Sequence, residues 1–129
     1  MKLQPDLKYT EEHEWVRVEG EECVIGISDY AQEQLSDVVY VELPEVGDSY
    51  AQGEIFAVVE SVKAASDVYM PVSGEILQIN ETLEDSPEIV NEDPYGEAWF
   101  ARAAMSELSE LDDLLDAEAY LAFIETLED

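Results

Sequence analysis

Side chains that could do covalent chemistry are scarce in this chain. It holds one histidine, His13, and one cysteine, Cys23, and nothing in their spacing pairs them. A lone thiol forms no internal disulfide and runs no dithiol redox chemistry. One imidazole and one thiol also fall short of a zinc-type ligand set. No Gly-x-Ser-x-Gly elbow, phosphate loop or dinucleotide fingerprint occurs. Carboxylates number 33 in 129 residues, so no particular pair stands out as a catalytic dyad. The chain reads as a non-enzyme: if it takes part in a reaction, its reactive group has to be borrowed.

The lysine at position 63 is the candidate attachment point for such a group. The chain has only five basic side chains, and between Arg17 and Arg102 there is only Lys63. It sits between two apolar β runs, residues 55–59 and 67–70, the second ended by Pro71 and Gly74. Only residues 60–66 separate the runs, which predicts an antiparallel hairpin with Lys63 at or beside its tip. The turn carries no Asn-Gly signal, so its type stays open. A solvated surface position is the ordinary use of a lysine. At a hairpin tip the amine also projects clear of the fold, where a modifying enzyme can reach it and an attached group can swing. Ser61, Val62, Ala64, Ala65 and Ser66 are small or uncharged and leave that approach open. Spacing alone does not choose between the two uses.

The elements that must position this lysine are mainly β. Residues 14–18 and 22–27 read as strands joined at Glu19-Gly20. Residues 28–35 read as a short helix capped by Ser28, and 38–43 as a strand stopped by Pro44. Beyond the hairpin, 74–79 is a further strand, and an irregular acidic loop runs through Pro87, Asn91, Pro94 and Gly96. Trp99 and Phe100 are expected to begin the last strand. Leu108, Leu111 and Leu115, then Tyr120, Ile124 and Leu127, recur at helical spacing. They predict two C-terminal helices that pack on the sheet, capped by Ser106 or Ser109 and by Asp116. The expected architecture is a small β sandwich or flattened barrel with a short internal helix and C-terminal helices. It forms one domain over residues 1–129, with its core at about 8–102 and a helical segment at about 105–127. Cys23 lies in an apolar run and is expected to be a buried small hydrophobe.

Composition narrows the setting. A formal charge of −28 repels phosphates, so nucleic acid is not an expected partner. The N-terminus lacks the apolar stretch of a signal peptide, and no segment is long enough to cross a bilayer, so a cytoplasmic location and no membrane partner are expected. Acid spread along the whole chain points to a halophilic, salt-rich cytoplasm in which such repulsion is screened. An acidic docking face for a basic partner is the alternative.

Several motifs in order resemble one known family. ESVKA at 60–64, Ser66-Asp67 and MPVSG at 70–74 resemble the lipoyl-attachment segment of glycine cleavage system H proteins. KYTEEHEWV at 8–16, GISDYAQ at 26–32, VELPEVG at 41–47 and NEDPYG at 91–96 are similar to that family's opening, middle and late loop. Biotin carriers share the architecture but place methionines beside the lysine, where this chain has Val62 and Ala64. The resemblance implies a lipoyl/biotinyl-type β sandwich in which Lys63 forms an amide with lipoic acid. It implies a carrier of the aminomethyl group, passing it from a pyridoxal-phosphate glycine decarboxylase to a tetrahydrofolate-dependent aminomethyltransferase. Dihydrolipoamide dehydrogenase would reoxidise it, and a lipoylating enzyme would load it. An acid-lined groove for the arm's terminal amine is implied near Glu12, His13, Glu14 and Asp67, with Glu14 the first contact and His13 a packing or hydrogen-bonding residue. A relay protein of the same fold, passing lipoyl or octanoyl groups to other complexes, would need the same lysine. The chain departs from the family pattern at Ser36, where glycine is common, at Glu97-Ala98, and at Cys23.

Overall fold

The computed structural model describes residues 3–127 and shows two antiparallel sheets packed over a shared core. The larger sheet has the spatial order β1 (Lys8–Tyr9), β2 (Glu14–Glu19), β3 (Glu22–Ile27), β9 (Ala101–Met105), β8 (Gly74–Ile79), β5 (Ser49–Tyr50). The smaller one runs β4 (Val38–Glu42), β6 (Ile55–Ser61), β7 (Ala65–Tyr69). The helices are α1 (Asp29–Leu35), α2 (Thr82–Asp85), α3 (Ile89–Glu92) and α4 (Ala117–Leu127), with a 3-10 segment over Leu108–Asp113. This is the expected mainly β sandwich with a short internal helix and a helical C-terminal region. No helix among the described residues is long and apolar enough to cross a membrane.

Alternation explains why β3 is an unbroken apolar run. Successive side chains of a strand point to opposite faces, and here both faces are covered. Cys23, Ile25 and Ile27 enter the core between the sheets, with Val41, Phe56, Val59 and Val68. Val24 and Trp15 instead join Tyr9, Tyr95, Tyr120 and Ile124 in a second cluster beneath α4. Gly26 pairs with Trp15 across the ladder, and a Cβ there would lie 2.6 Å from the indole ring. The glycine makes room for the tryptophan.

Two caps sit where the sequence places them. Ser28 Oγ accepts a hydrogen bond from Ala31 N (3.2 Å), and Asp116 Oδ1 accepts one from Ala119 N (2.8 Å).

Other features differ from expectation. The acidic loop after β8 is not wholly irregular: it forms α2 and α3, each a single turn anchored by a buried apolar residue, Leu83 and Val90. The last strand starts at Ala101 rather than Trp99: Ile25 pairs with Ala101, and the bond from Phe100 N to Ile25 O (2.7 Å) lies one position off that register. The first C-terminal helix is of 3-10 type and buries no residue. Its N-cap is Glu107, so neither Ser106 nor Ser109 caps it. Leu108 and Leu127 are exposed, which leaves Leu111, Leu114 and Leu115 as partial contacts and Tyr120 and Ile124 as the buried pair. The strands β1 and β5 have two residues each, too short to show a period in sequence.

Ser36 ends α1 with φ 68° and ψ −152°, a region that is essentially reserved for glycine. Its departure from the family pattern therefore has a backbone consequence.

Candidate functional site

The β6–β7 ladder runs from Ile55↔Tyr69 to Glu60↔Ala65 and puts Val62 and Lys63 at its tip. Ser61 N donates to Ala64 O at 2.8 Å and closes the turn. Among the described non-glycine residues, positive φ occurs only at His13 and Ser36, so this turn is neither of the primed types favoured in hairpins. The Ser61 hydroxyl stands in for the missing turn signal. It accepts from Lys63 N (3.3 Å) and Ala64 N (3.2 Å) and donates to Ala64 O (3.1 Å). Val62 N donates to Asp37 O (3.0 Å), which ties the tip to the start of β4. Lys63 is exposed and makes no ion pair with any described residue.

Along the same hairpin lies a groove of about 130 Å³. Glu12, His13 and Glu14 form one wall, Ala31, Gln34 and Leu35 of α1 another, and Val59, Ser66, Asp67 and Val68 the hairpin side. All three carboxylates expected from the sequence meet there. Lys63 is not among the lining residues. Ser66 and Asp67 follow it by three and four positions, so they lie within roughly 10–13 Å of it, the span of a fully extended segment of that length.

Glu14 is the unusual member, with only 1% of its surface exposed. Its Oε1 accepts from the Thr10 hydroxyl (2.5 Å) and its Oε2 from Tyr69 N (3.1 Å). Thr10 Oγ1 also accepts from Glu12 N and Glu14 N, which folds residues 10–14 into a tight loop. Tyr69 N is available because of strand parity. Met70 N and O face the β6 side, bonding Glu54 O and Gly53 N, so Tyr69 N points to the open edge of β7. Glu14 thus caps an exposed sheet edge and joins the two sheets. It also borders a second cavity of about 380 Å³, with Glu12, Gln52, Tyr69 and Asp113 among its lining.

Burial outweighs those hydrogen bonds and, helped by nearby Glu12, pushes the Glu14 carboxyl up to about 7. Burial likewise holds His13 below its ordinary value, so its imidazole is neutral at pH 7. His13 Nδ1 lies 2.8 Å from the Tyr120 hydroxyl, and the ring packs against Tyr30. It is a packing and hydrogen-bonding residue, as expected. Cys23 is fully buried and its thiol is pushed up to about 12, which makes it an inert core group. The groups that reading the sequence missed are Thr10, the Tyr69 amide and Tyr120. Thr10 was visible as a threonine four positions before Glu14, whereas the other two bond across 55 and 107 residues of sequence.

Comparison with known proteins gives concordant results. The family description "Glycine cleavage H-protein" matches residues 7–127. A glycine cleavage system H protein of Shewanella loihica is 60% identical over 121 residues, covering 93% of this chain and 94% of that protein. One from Clostridium botulinum is 59% identical over 128 residues, 99% of this chain and 98% of that one. A crystal structure of the H protein from Mycobacterium marinum superposes with a TM-score of 0.84 at 35% identity, covering 93% of this chain and 97% of that one.

Proposed function

Because this chain belongs to the glycine cleavage H-protein family, we propose that it is the lipoyl carrier of that system, with Lys63 as the attachment residue. The observation that carries this reading is an exposed lysine with no ion pair to any described residue, set on a serine-closed hairpin tip beside an acid-lined groove. Lipoic acid fits such a site, because amide formation needs a free amine and surroundings open to a modifying enzyme. When bound, it supplies a pair of sulfurs that the single buried Cys23 cannot provide. The chain itself catalyses nothing in this reading. It carries the aminomethyl group from glycine decarboxylase to the tetrahydrofolate-dependent aminomethyltransferase, meets dihydrolipoamide dehydrogenase for reoxidation, and is loaded by a lipoylating enzyme in the cytoplasm.

The remaining residues hold and shield the end of the loaded arm. Its amine would be cationic near neutral pH, and Asp67, Glu12 and the ionised form of Glu14 would hold that charge by charge-assisted hydrogen bonds. Ile27, Leu35 and Val59 form the apolar part of the groove and reduce the water that would compete.

Intact mass and peptide mapping of the protein from its native host should show a lipoyl-sized increment on Lys63. Lys63→Arg should reduce glycine turnover, in an assay reconstituted with the three partner enzymes, to the level seen without carrier. Undiminished turnover would falsify the proposal.

A further inference from the structure

Two of the groove's three sides come from different parts of the chain, and one hydroxyl bonds both a residue of the first and the N-cap of the helix that carries the second. The loop of residues 10–14 carries Glu12, His13 and Glu14, and α1 carries Ala31, Gln34 and Leu35. Tyr120, fully buried on α4, places its hydroxyl 2.8 Å from His13 Nδ1 and 2.7 Å from Ser28 Oγ, the N-cap of α1. A phenol can donate one hydrogen bond and accept others, so both bonds coexist as long as Tyr120 donates no more than one of them. The walls also meet through Ser28 N to His13 O at 2.9 Å. His13 holds φ 75°, a left-handed conformation uncommon outside glycine, which persists where surrounding contacts impose it.

From this geometry we infer that Tyr120 is a positioning residue of the groove. Its hydroxyl braces the acid-bearing loop against the start of α1, adding a side-chain tie to the backbone bond and the β2–β3 pairing that already join them. The inference rests on the carrier reading for its use, since the groove is the proposed seat of the arm's amine. The tyrosine ring is held independently of its hydroxyl. It stacks on Tyr9 with centroids 4.5 Å apart and planes 1° from parallel, and Tyr9 pairs with Leu115 through backbone bonds in both directions. Removing only the oxygen therefore leaves α4 docked. It takes away one partner each from His13 Nδ1 and Ser28 Oγ, so the loop and the start of α1 loosen together while the Ala31 N to Ser28 Oγ cap bond remains.

The test is Tyr120→Phe in the full, unmodified chain, read by amide hydrogen exchange. Ser28, Ala31 and Gln32 donate the bonds that join the walls and start α1, and their amides should exchange roughly threefold to tenfold faster. Ile76 and Ala103 in the β8–β9 ladder should keep their rates, and the His13 imidazole should titrate closer to its ordinary 6.5. Unchanged exchange at the three wall amides overturns the inference, as does a uniform acceleration across the molecule, which would mean a loss of global stability alone. Should the variant fail to fold, the wild-type ring nitrogens of His13 still decide. One tautomer with Nδ1 hydrogen-bonded supports the brace, and a freely averaging imidazole overturns it. Intact mass of the wild type from its host is read separately: an unmodified Lys63 there counts against the carrier reading and leaves the exchange result standing.

Discussion

The carboxyl group of Glu14 accepts hydrogen bonds at both oxygens, yet its protonation midpoint lies near 7, because two donors do not replace the water lost on burial. An ordinary value of 4.5 raised to about 7 makes the ionised form roughly 3 kcal/mol less compatible with the folded chain. Between those pH values the folded state binds more protons than the unfolded one, so this residue makes stability fall as pH rises through the window. Glu14→Gln should remove that slope. The amide keeps an acceptor for Tyr69 N and offers a donor to Thr10. Urea denaturation should show a gain of about 3 kcal/mol at pH 8 and under ~1 kcal/mol at pH 5. Parallel pH profiles for the two proteins would refute the burial account. In the carrier reading the same change removes the charge that holds the arm's amine, so the gain in stability comes with a loss in the groove. The sequence made Glu12, Glu14 and Asp67 visible as a group only through their motif. What distinguishes Glu14 is its burial and the Tyr69 amide, and both depend on how two sheets meet.

Secondary structure separates what was legible from what was not. Residues 22–27 and 74–79 were read with their observed limits because period, turn residues and length agreed. Ser28 and Asp116 were recognisable as caps because capping is local chemistry. The one-turn helices α2 and α3 were not, since a single turn buries one side chain and leaves no pattern to count, and the leucine spacing that marked a helix near Leu108 did not reveal that it is of 3-10 type. The hairpin tip was placed correctly, but its turn type depended on Ser61, whose hydroxyl bonds appear only in three dimensions. At Ser36 sequence and geometry agree on a weakness. A serine held at φ 68°, ψ −152° carries strain of about 1–3 kcal/mol, and glycine would relieve it while adding roughly 0.5–1 kcal/mol of unfolded-chain entropy. Ser36→Gly should therefore stabilise the protein by about 1 kcal/mol in chemical denaturation. A loss of stability would show that surrounding contacts, rather than backbone preference, govern the end of α1.

Over the whole molecule, 33 acidic residues face 5 basic ones, and the ion pairs among the described residues are those of Arg102 with Glu19 and Glu22, at 2.7 and 3.2 Å. Few carboxylates can thus be neutralised within the fold, and the compact state concentrates their repulsion while the unfolded chain disperses it. Salt should relieve this. The screening length falls from about 10 Å at 0.1 M to about 3 Å at 1 M, below the spacing of most surface charges. If the relief amounts to several kcal/mol, the melting temperature should rise by on the order of 10 °C between those concentrations. Screening responds to ionic strength, whereas salting-out depends on the anion, so sodium chloride and sodium sulfate compared at equal ionic strength divide the two effects. Coincident curves that rise steeply below ~0.5 M would assign the gain to charge repulsion and support adaptation to a salty interior. A melting temperature indifferent to chloride would leave the acidity to be explained by a basic partner surface. In that case it is binding, not folding, that should respond to salt, weakening as the same screening takes hold.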